Sequence, residues 1–290
     1  MDRLVTPASN GLRLRGLHAR WRAFWVRRVL RRSIVFRDRY GIQYALEPTD
    51  DLALYFTHRG WFEAAEQEFC RRYLRAGMTV FDVGAYIGVY TCLMASLVGP
   101  KGAVHAFEPV PESFERLCGN LALNRLTNVV ANRLALFSRA GSQQLHVYAP
   151  PFQSLSSVVH AERARAGGSL RANPGMSVEA VRLDDYCRTR SVARIDLLKV
   201  DVEDAEHDVL VGAQGLLAEA RIGCLLFEVG VRAGQVVDRL RGDGFQFFAV
   251  DPDGSLELIP EAAVAHLSNA VALHRSVAGV EVAGDHANRV

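Results

Sequence analysis

Short apolar runs alternate with stretches of helical period from residue 78 to residue 250. The runs 78–83, 102–107, 128–134, 195–200, 222–228 and 245–250 have strand length and are rich in Val, Ile, Leu and Phe. Between them, 87–98, 111–124, 204–218 and 232–241 repeat apolar residues at the three-to-four spacing of a helix with one buried face. Strand and helix in turn is the grammar of a doubly wound α/β sheet with mostly parallel strands. A last strand is expected at Ala270–His274, which brings the sheet to seven.

The flanks break this rhythm. Ile34 to Leu46 alternates apolar and polar around Tyr40-Gly41, the mark of a hairpin. Thr57 to Leu74 reads as a helix entry and a helix, stopped by Ala76-Gly77. Between 138 and 183 extra strands are expected at Gln144–Ala149 and Ser177–Arg182, around a Ser-, Gly- and Arg-rich segment, Pro150–Pro174. Loops that long inside a compact domain are usually functional or disordered, and this one lies where a substrate cover would. The expected organisation is therefore a basic helix at 1–32, a hairpin and helix at 33–75, a ligand-binding α/β domain at 76–260 and an extension at 261–290.

Charge changes the picture only at the start. The net charge is +2, yet Arg3 to Arg37 contains no acid. Leu14, Leu17, Trp21, Phe24, Trp25 and Val29 recur there at helical spacing among the arginines. A basic amphipathic helix has three uses: docking on its own domain or on a second copy in a homo-oligomer, lying on an anionic membrane surface, or touching nucleic acid. The 290 residues are 49% hydrophobic and 23% charged, in keeping with one large α/β unit. No apolar run has the length of a membrane span, and no secretory apolar region opens the chain. Five scattered cysteines read as core thiols of a reducing cytoplasm, not a disulfide frame or a zinc site. The expected location is cytoplasmic, with peripheral attachment to the inner face of the membrane as the role of the basic helix.

The chemistry concentrates at the first core strand. Val80-Phe81-Asp82-Val83-Gly84-Ala85-Tyr86-Ile87-Gly88 is an apolar run ending in an acid, then a glycine turn into a helix. Such a turn can bring a ligand close to main-chain amides. Glu108 ends the next strand, where an acid commonly accepts ribose hydroxyls. Asp82, Gly84, Tyr86, Gly88 and Glu108 are thus the expected nucleoside-cofactor residues. A dinucleotide fold needs a second glycine where Tyr86 stands, to admit a diphosphate. A ligand without phosphate, such as S-adenosylmethionine, meets no such obstacle. The strand 195–200 ends at Asp201-Val202-Glu203, and in open α/β sheets ligands bind beyond the carboxyl ends of the strands. Asp201 and Glu203 are candidate general bases for a hydroxyl acceptor, on one face if the strand stays extended, with Lys199 able to pair with either. The alternative has Asp201 hold the sulfonium or amino group, as a cofactor residue, and Glu203 cap the next helix. No dedicated metal spacing is present.

Further motifs carry a family resemblance. Ala106-Phe107-Glu108-Pro109-Val110-Pro111 with Phe114, Leu117, Asn120 and Asn124, then Leu183-Asp184-Asp185-Tyr186, then Asp196 to Glu206, resemble the FkbM methyltransferases over about residues 35–250. The resemblance implies a class I, Rossmann-like methyltransferase fold, S-adenosylmethionine as cofactor, and O-methylation of a small-molecule or glycan acceptor. Two positions depart from it: Tyr86 where the family commonly has Asn, and Asp204 where it commonly has Gly. Asp204 either alters the turn or starts the next helix as an N-cap. Three rivals stand beside this reading. A nucleic-acid methyltransferase is unlike the chain, since no Pro-Pro-aromatic motif follows the fourth strand. A non-catalytic cofactor-binding protein of the same fold is left open by the two departures. An NAD-dependent oxidoreductase lacks its middle glycine.

Overall fold

In the computed structural model, residues 34–47, 52, 56, 62–147, 162–165, 168–171 and 175–277 are described. The basic segment 1–32 and most of 148–174 lie outside them. A hairpin comes first, β1 (Ile34–Arg37) antiparallel to β2 (Gln43–Leu46). Asp38 shapes its turn by accepting the amides of Tyr40 and Ile42. Then follow α1 (Ala64–Tyr73), β3 (Thr79–Val83), α2 (Val89–Val98), β4 (Ala103–Phe107), α3 (Pro111–Leu123) and β5 (Val129–Asn132). An insert holds β6 (Ala135–Leu136), β7 (Gly141–Leu145), β8 (Glu162–Arg165), β9 (Gly168–Arg171) and β10 (Met176–Val181). The second half runs through α4 (Leu183–Thr189), β11 (Ile195–Val200), α5 (Glu206–Gly212), α6 (Gln214–Ala218) and β12 (Ile222–Glu228). It ends with α7 (Ala233–Gly242), β13 (Phe245–Val250), β14 (Leu256–Leu258), α8 (Glu261–Val264) and β15 (Asn269–His274).

The main sheet has the order β5-β4-β3-β11-β12-β15-β13-β14. The strands from β5 to β12 are parallel, and β15 runs antiparallel to both its neighbours. All seven expected strands are present, and β14 adds an eighth by folding back on β13. β15 enters between β12 and β13, so the span set apart as 261–290 supplies an inner strand. The central strands are apolar along their length because both faces are covered. One face packs on α1, α2 and the hairpin, where Tyr44 and Leu46 are buried among Leu93, Met94 and Leu117. The other packs on α4 to α7 through Leu183, Leu210, Leu216 and Leu240.

Several motif residues turn out to build the frame. Asn120 on α3 and Asn124, one turn on at its C-cap, close the backbone of β2 that β1 leaves open. Asn120 accepts the Ala45 amide, and Asn124 bonds both the N–H and the C=O of Gln43, all within 2.8 Å. Asp184 accepts the amides of Gly215 and Leu216 and so holds the start of α6. The helix expected over 204–218 is two pieces. At its break, a Cβ on Gly212 would stand 2.4 Å from the Phe137 carbonyl oxygen, so the insert presses on the helix there. Four cysteines are buried, Cys118 is exposed, and none is paired. Within the described residues, the segment expected to be a loop contributes the β8–β9 pair, and β6, β10 and β7 form a separate small sheet. No helix among the described residues is long and apolar enough to cross a membrane.

Candidate functional site

The sheet order reverses at β3, whose neighbours β4 and β11 lead in opposite directions. Their carboxyl ends part there, and a crevice opens, as expected for this topology. The turn after β3 is built from left-handed residues: Gly84 at φ 81, Tyr86 at 49 and Gly88 at 88. Gly84 is required twice over, because a Cβ on it would lie 1.8 Å from the Asp201 carbonyl oxygen. A Cβ on Gly88 would meet the Leu117 side chain at 2.5 Å, so this glycine serves the packing of α2 on α3.

Four of the turn's amides are engaged within the protein. Gly84 and Ala85 donate to the Phe107 carbonyl at 3.0 Å, and Gly88 donates to Ala85 at 2.8 Å. Tyr86 donates to Glu108 Oε2 at 2.8 Å. The amides of Gly84, Ala85 and Tyr86 tie the β3 turn to the end of β4, and that of Gly88 closes the turn on itself. Tyr86 keeps its left-handed backbone through that bond, and its ring lies 5.9 Å from the Arg116 guanidinium carbon.

A cleft opens beyond these strand ends. Gly84, Tyr86, Glu108, Asp201 and Glu203 line it, together with apolar walls from Val83, Phe107, Val110, Leu134, Leu136 and Leu145. Asp82 and Gly88 are not in the lining. Asp82 is fully buried; its Oδ2 accepts from Thr91 Oγ1 at 2.5 Å, and its Oδ1 lies 3.9 Å from Lys199 Nζ with no hydrogen bond. It supports the site from beneath. No lysine or arginine lines the cleft among the described residues.

Glu108 sits at the floor, with Oε1 accepting the Val110 amide at 2.9 Å. Burial pushes its carboxyl up to about 7, against the pull of its two amide bonds. Asp201 accepts from Lys199 Nζ at 2.9 Å, the pairing that their alternation anticipates. Burial alone would lower the Lys199 ammonium, but Asp201, Asp82 and Glu63 outweigh it and hold the group above its ordinary range. Lys199 also lies 4.7 Å from the centre of the Tyr90 ring.

The segment after β11 is not extended. Glu203 at φ 57 and Asp204 at φ 76 are both left-handed, so the shared-face argument for Asp201 and Glu203 does not hold. The turn nevertheless brings them together. One carboxylate oxygen each from Asp201, Glu203 and Glu228 lie within 4.8 Å of one another. Such a trio has the chemistry to receive a hydroxyl proton and equally the oxygen donors a hard cation uses. Neither Glu203 nor Asp204 caps the next helix: the N-cap of α5 is Ala205, without a side-chain bond. Asp204 instead crosses to the loop after β12, where its Oδ1 accepts the Val231 amide at 2.8 Å. Its departure from glycine thus ties two loops at the cleft's edge. Glu206 Oε1 accepts the Val202 amide at 3.0 Å and holds the same turn from the other side.

Sequence reasoning missed Glu228, although it ends β12 as Asp82 and Glu108 lie at the ends of their strands, and that signal was present. It also left Ala135, Leu136 and Leu145 unnamed as lining, although Leu145 falls in the strand expected at Gln144–Ala149.

Glu63, Glu108 and Glu206 are each raised from 4.5 to about 7, with burial the first cause in every case. Between those values the folded chain holds protons that the unfolded chain has released. Stability then falls as pH rises through this window. The melting temperature of the ligand-free protein is expected to decline between pH 5 and pH 7, and the decline to be shallower in Glu108→Gln. A melting temperature that climbs over that range would contradict it.

Comparison with protein families matches residues 82–251 to the methyltransferase FkbM domain. The 31-O-demethyl-FK506 methyltransferase FkbM of Streptomyces tacrolimicus is 34% identical over 200 residues, covering 61% of this chain and 75% of its own length. Methyltransferase sdnD of Sordaria araneosa is 35% identical over 159 residues, 46% of this chain and 59% of that protein. The hexuronic acid methyltransferase AglP of Haloferax volcanii is 28% identical over 152 residues, 52% and 56% of the two chains. With the switch-point cleft and this match over more than half its length, the chain belongs to the FkbM methyltransferase family.

Proposed function

We propose that this methyltransferase uses S-adenosylmethionine and methylates a hydroxyl of a glycan, glycolipid or secondary metabolite. The observation that carries the reading is the lining of the cleft, which among the described residues has three acids and no lysine or arginine. Carboxylates favour a ligand with a cationic sulfonium and ammonium and disfavour a diphosphate. The same feature argues against a phosphate-bearing nucleic-acid strand as acceptor, since backbone binding needs cations. The apolar walls suit a flat purine, and Glu108 suits ribose hydroxyls.

S-adenosylmethionine, when bound, supplies an electrophilic methyl group. The chain's own residues hold the acceptor and take its proton. An alcohol is a poor nucleophile until that proton leaves, and in this reading Asp201 or Glu203 accepts it. Alignment of the acceptor by the cleft walls supplies the rest of the rate. Two relatives support this reading, a 31-O-demethyl-FK506 methyltransferase by its oxygen acceptor and a hexuronic acid methyltransferase by its sugar acid.

Calorimetry tests the cofactor. S-adenosylmethionine and its demethylated product are expected to bind, and NAD far more weakly. Glu108→Gln is expected to lower the affinity for either sulfur nucleoside by about 1.5–3 kcal/mol, the scale of a hydrogen bond to a charged group. Tight NAD binding without a response to the sulfur nucleosides would sink the proposal. A screen of sugars and polyketide-type alcohols with labelled methyl donor then identifies the acceptor.

A further inference from the structure

Behind the cleft, a second polar group of residues joins the start of α1 to the end of β11. Glu63 precedes α1 in a left-handed conformation, φ 44 and ψ 62, which a glutamate adopts only when its surroundings hold it there. The turn aims its carboxylate inward. Glu63 Oε2 accepts from the Tyr90 hydroxyl on α2 at 2.8 Å. Asn269 Nδ2 at the start of β15 donates to Glu66 Oε1 at 3.1 Å and approaches Glu63 Oε1 at 3.5 Å. Asn269 is the register partner of Glu228, the third member of the acid trio. The Tyr90 ring in turn carries the Lys199 ammonium 4.7 Å from its centre, and Lys199 donates to Asp201. Glu63, Tyr90, Lys199 and Asp201 thus form one continuous line from α1 to the cleft.

We propose that Glu63 is a positioning residue for methyl transfer: by fixing the Tyr90 ring it sets where Lys199 holds the Asp201 carboxylate. The proposal rests on the methyltransfer reading above and extends it to a residue that does not line the cleft. A tyrosine ring that carries a cation on its face must keep its plane, and a hydrogen bond at its hydroxyl is the means of keeping it. Without Glu63 the ring keeps its core packing but loses the bond that fixes its hydroxyl end, and the seat of the ammonium shifts with it. The charged and titratable groups facing Glu63 are Lys199 at the end of β11, Asp201 just after it, Tyr90 from α2, and Glu66 and Cys70 from α1.

The test uses the full chain in three variants. Glu63→Ala and Tyr90→Phe both break the bond and are expected to lower kcat by up to about 10²-fold, the scale of a small misplacement of a reacting group. KM for the methyl donor should be unchanged. Glu63→Gln keeps an oxygen to accept from Tyr90 and is expected to recover most of kcat. The double variant Glu63→Ala/Tyr90→Phe should be no slower than either single variant, since both remove one contact. A Glu63→Gln as slow as Glu63→Ala beside an unimpaired Tyr90→Phe would overturn the proposal. A crystal structure of Glu63→Ala gives a readout independent of turnover. A Lys199–Asp201 contact that stays at 2.9 Å would overturn the positioning role, and a displaced ammonium would support it. A parent chain that binds cofactor yet methylates no acceptor would instead strike the methyltransfer reading, with the crystallographic arm still deciding the role of Glu63.

Discussion

Asp201→Asn and Glu203→Gln are expected to slow methyl transfer far more than they weaken cofactor binding. At least one of them should lose about 10²–10⁴-fold in turnover, the contribution of a placed general base. Both residues line the cleft, and with Glu228 they bring three carboxylate oxygens within 4.8 Å. That crowding makes the outcome of a single change uneven, because a neighbouring acid can take over part of the proton's path. The double variant removes this substitution and should be slower than either single one. Glutamine and asparagine keep the size and hydrogen-bonding reach of the parents, so the loss is read as loss of a proton acceptor. Single-turnover rates beside calorimetric affinity separate the two effects. If the double variant keeps full turnover, neither carboxylate is the base, and the rate rests on alignment alone.

Much of this architecture was legible in the sequence because central strands are buried on both faces and therefore read as unbroken apolar runs. All seven expected strands lie where those runs lie, and β3, β4 and β11 bring Gly84, Tyr86, Glu108 and Asp201 to one crevice. What a linear pattern cannot carry is the direction of a side chain at a turn. Asp82 ends an apolar run as Asp201 does, yet it points under the sheet to Thr91 and Lys199. Glu203 reaches the acid trio through a left-handed turn, although the extended spacing that first singled it out does not exist there. The amides of Gly84 and Ala85 have a partner that no linear pattern shows, the Phe107 carbonyl of the next strand. Glu63 had no sequence signal at all. Its importance comes from Tyr90 and Asn269, which lie 27 and 206 residues further along the chain.

Lys199→Met is expected to cost the fold about 3–5 kcal/mol, the consequence of leaving a buried charge without its partner. For a chain of this size that is a fall of roughly 6–20 °C in melting temperature. Two carboxylates lean on the Lys199 ammonium, and they differ in what else can solvate them. The Asp201 side chain is 30% exposed and can turn to water when the lysine is gone. The Asp82 side chain is 0% exposed, and its Oδ1 has Lys199 as the cation 3.9 Å away and no hydrogen bond. The penalty therefore falls on Asp82. Burial already raises its carboxyl above the ordinary range, with Lys199 the main opposing influence, so the variant should take up a proton there on folding. Its stability should then fall more steeply than the parent's as pH rises, because the folded chain keeps a proton that the unfolded chain releases. Methionine matches the lysine stem in length, so a cavity contributes little. Adding Asp82→Asn to Lys199→Met removes the stranded charge and should restore a large part of the loss. Thermal melts of the parent, Lys199→Met and the double variant decide the matter. A Lys199→Met protein as stable as its parent, or a double variant no better than the single, would show that the Asp82–Lys199 pair does not hold the floor of the site.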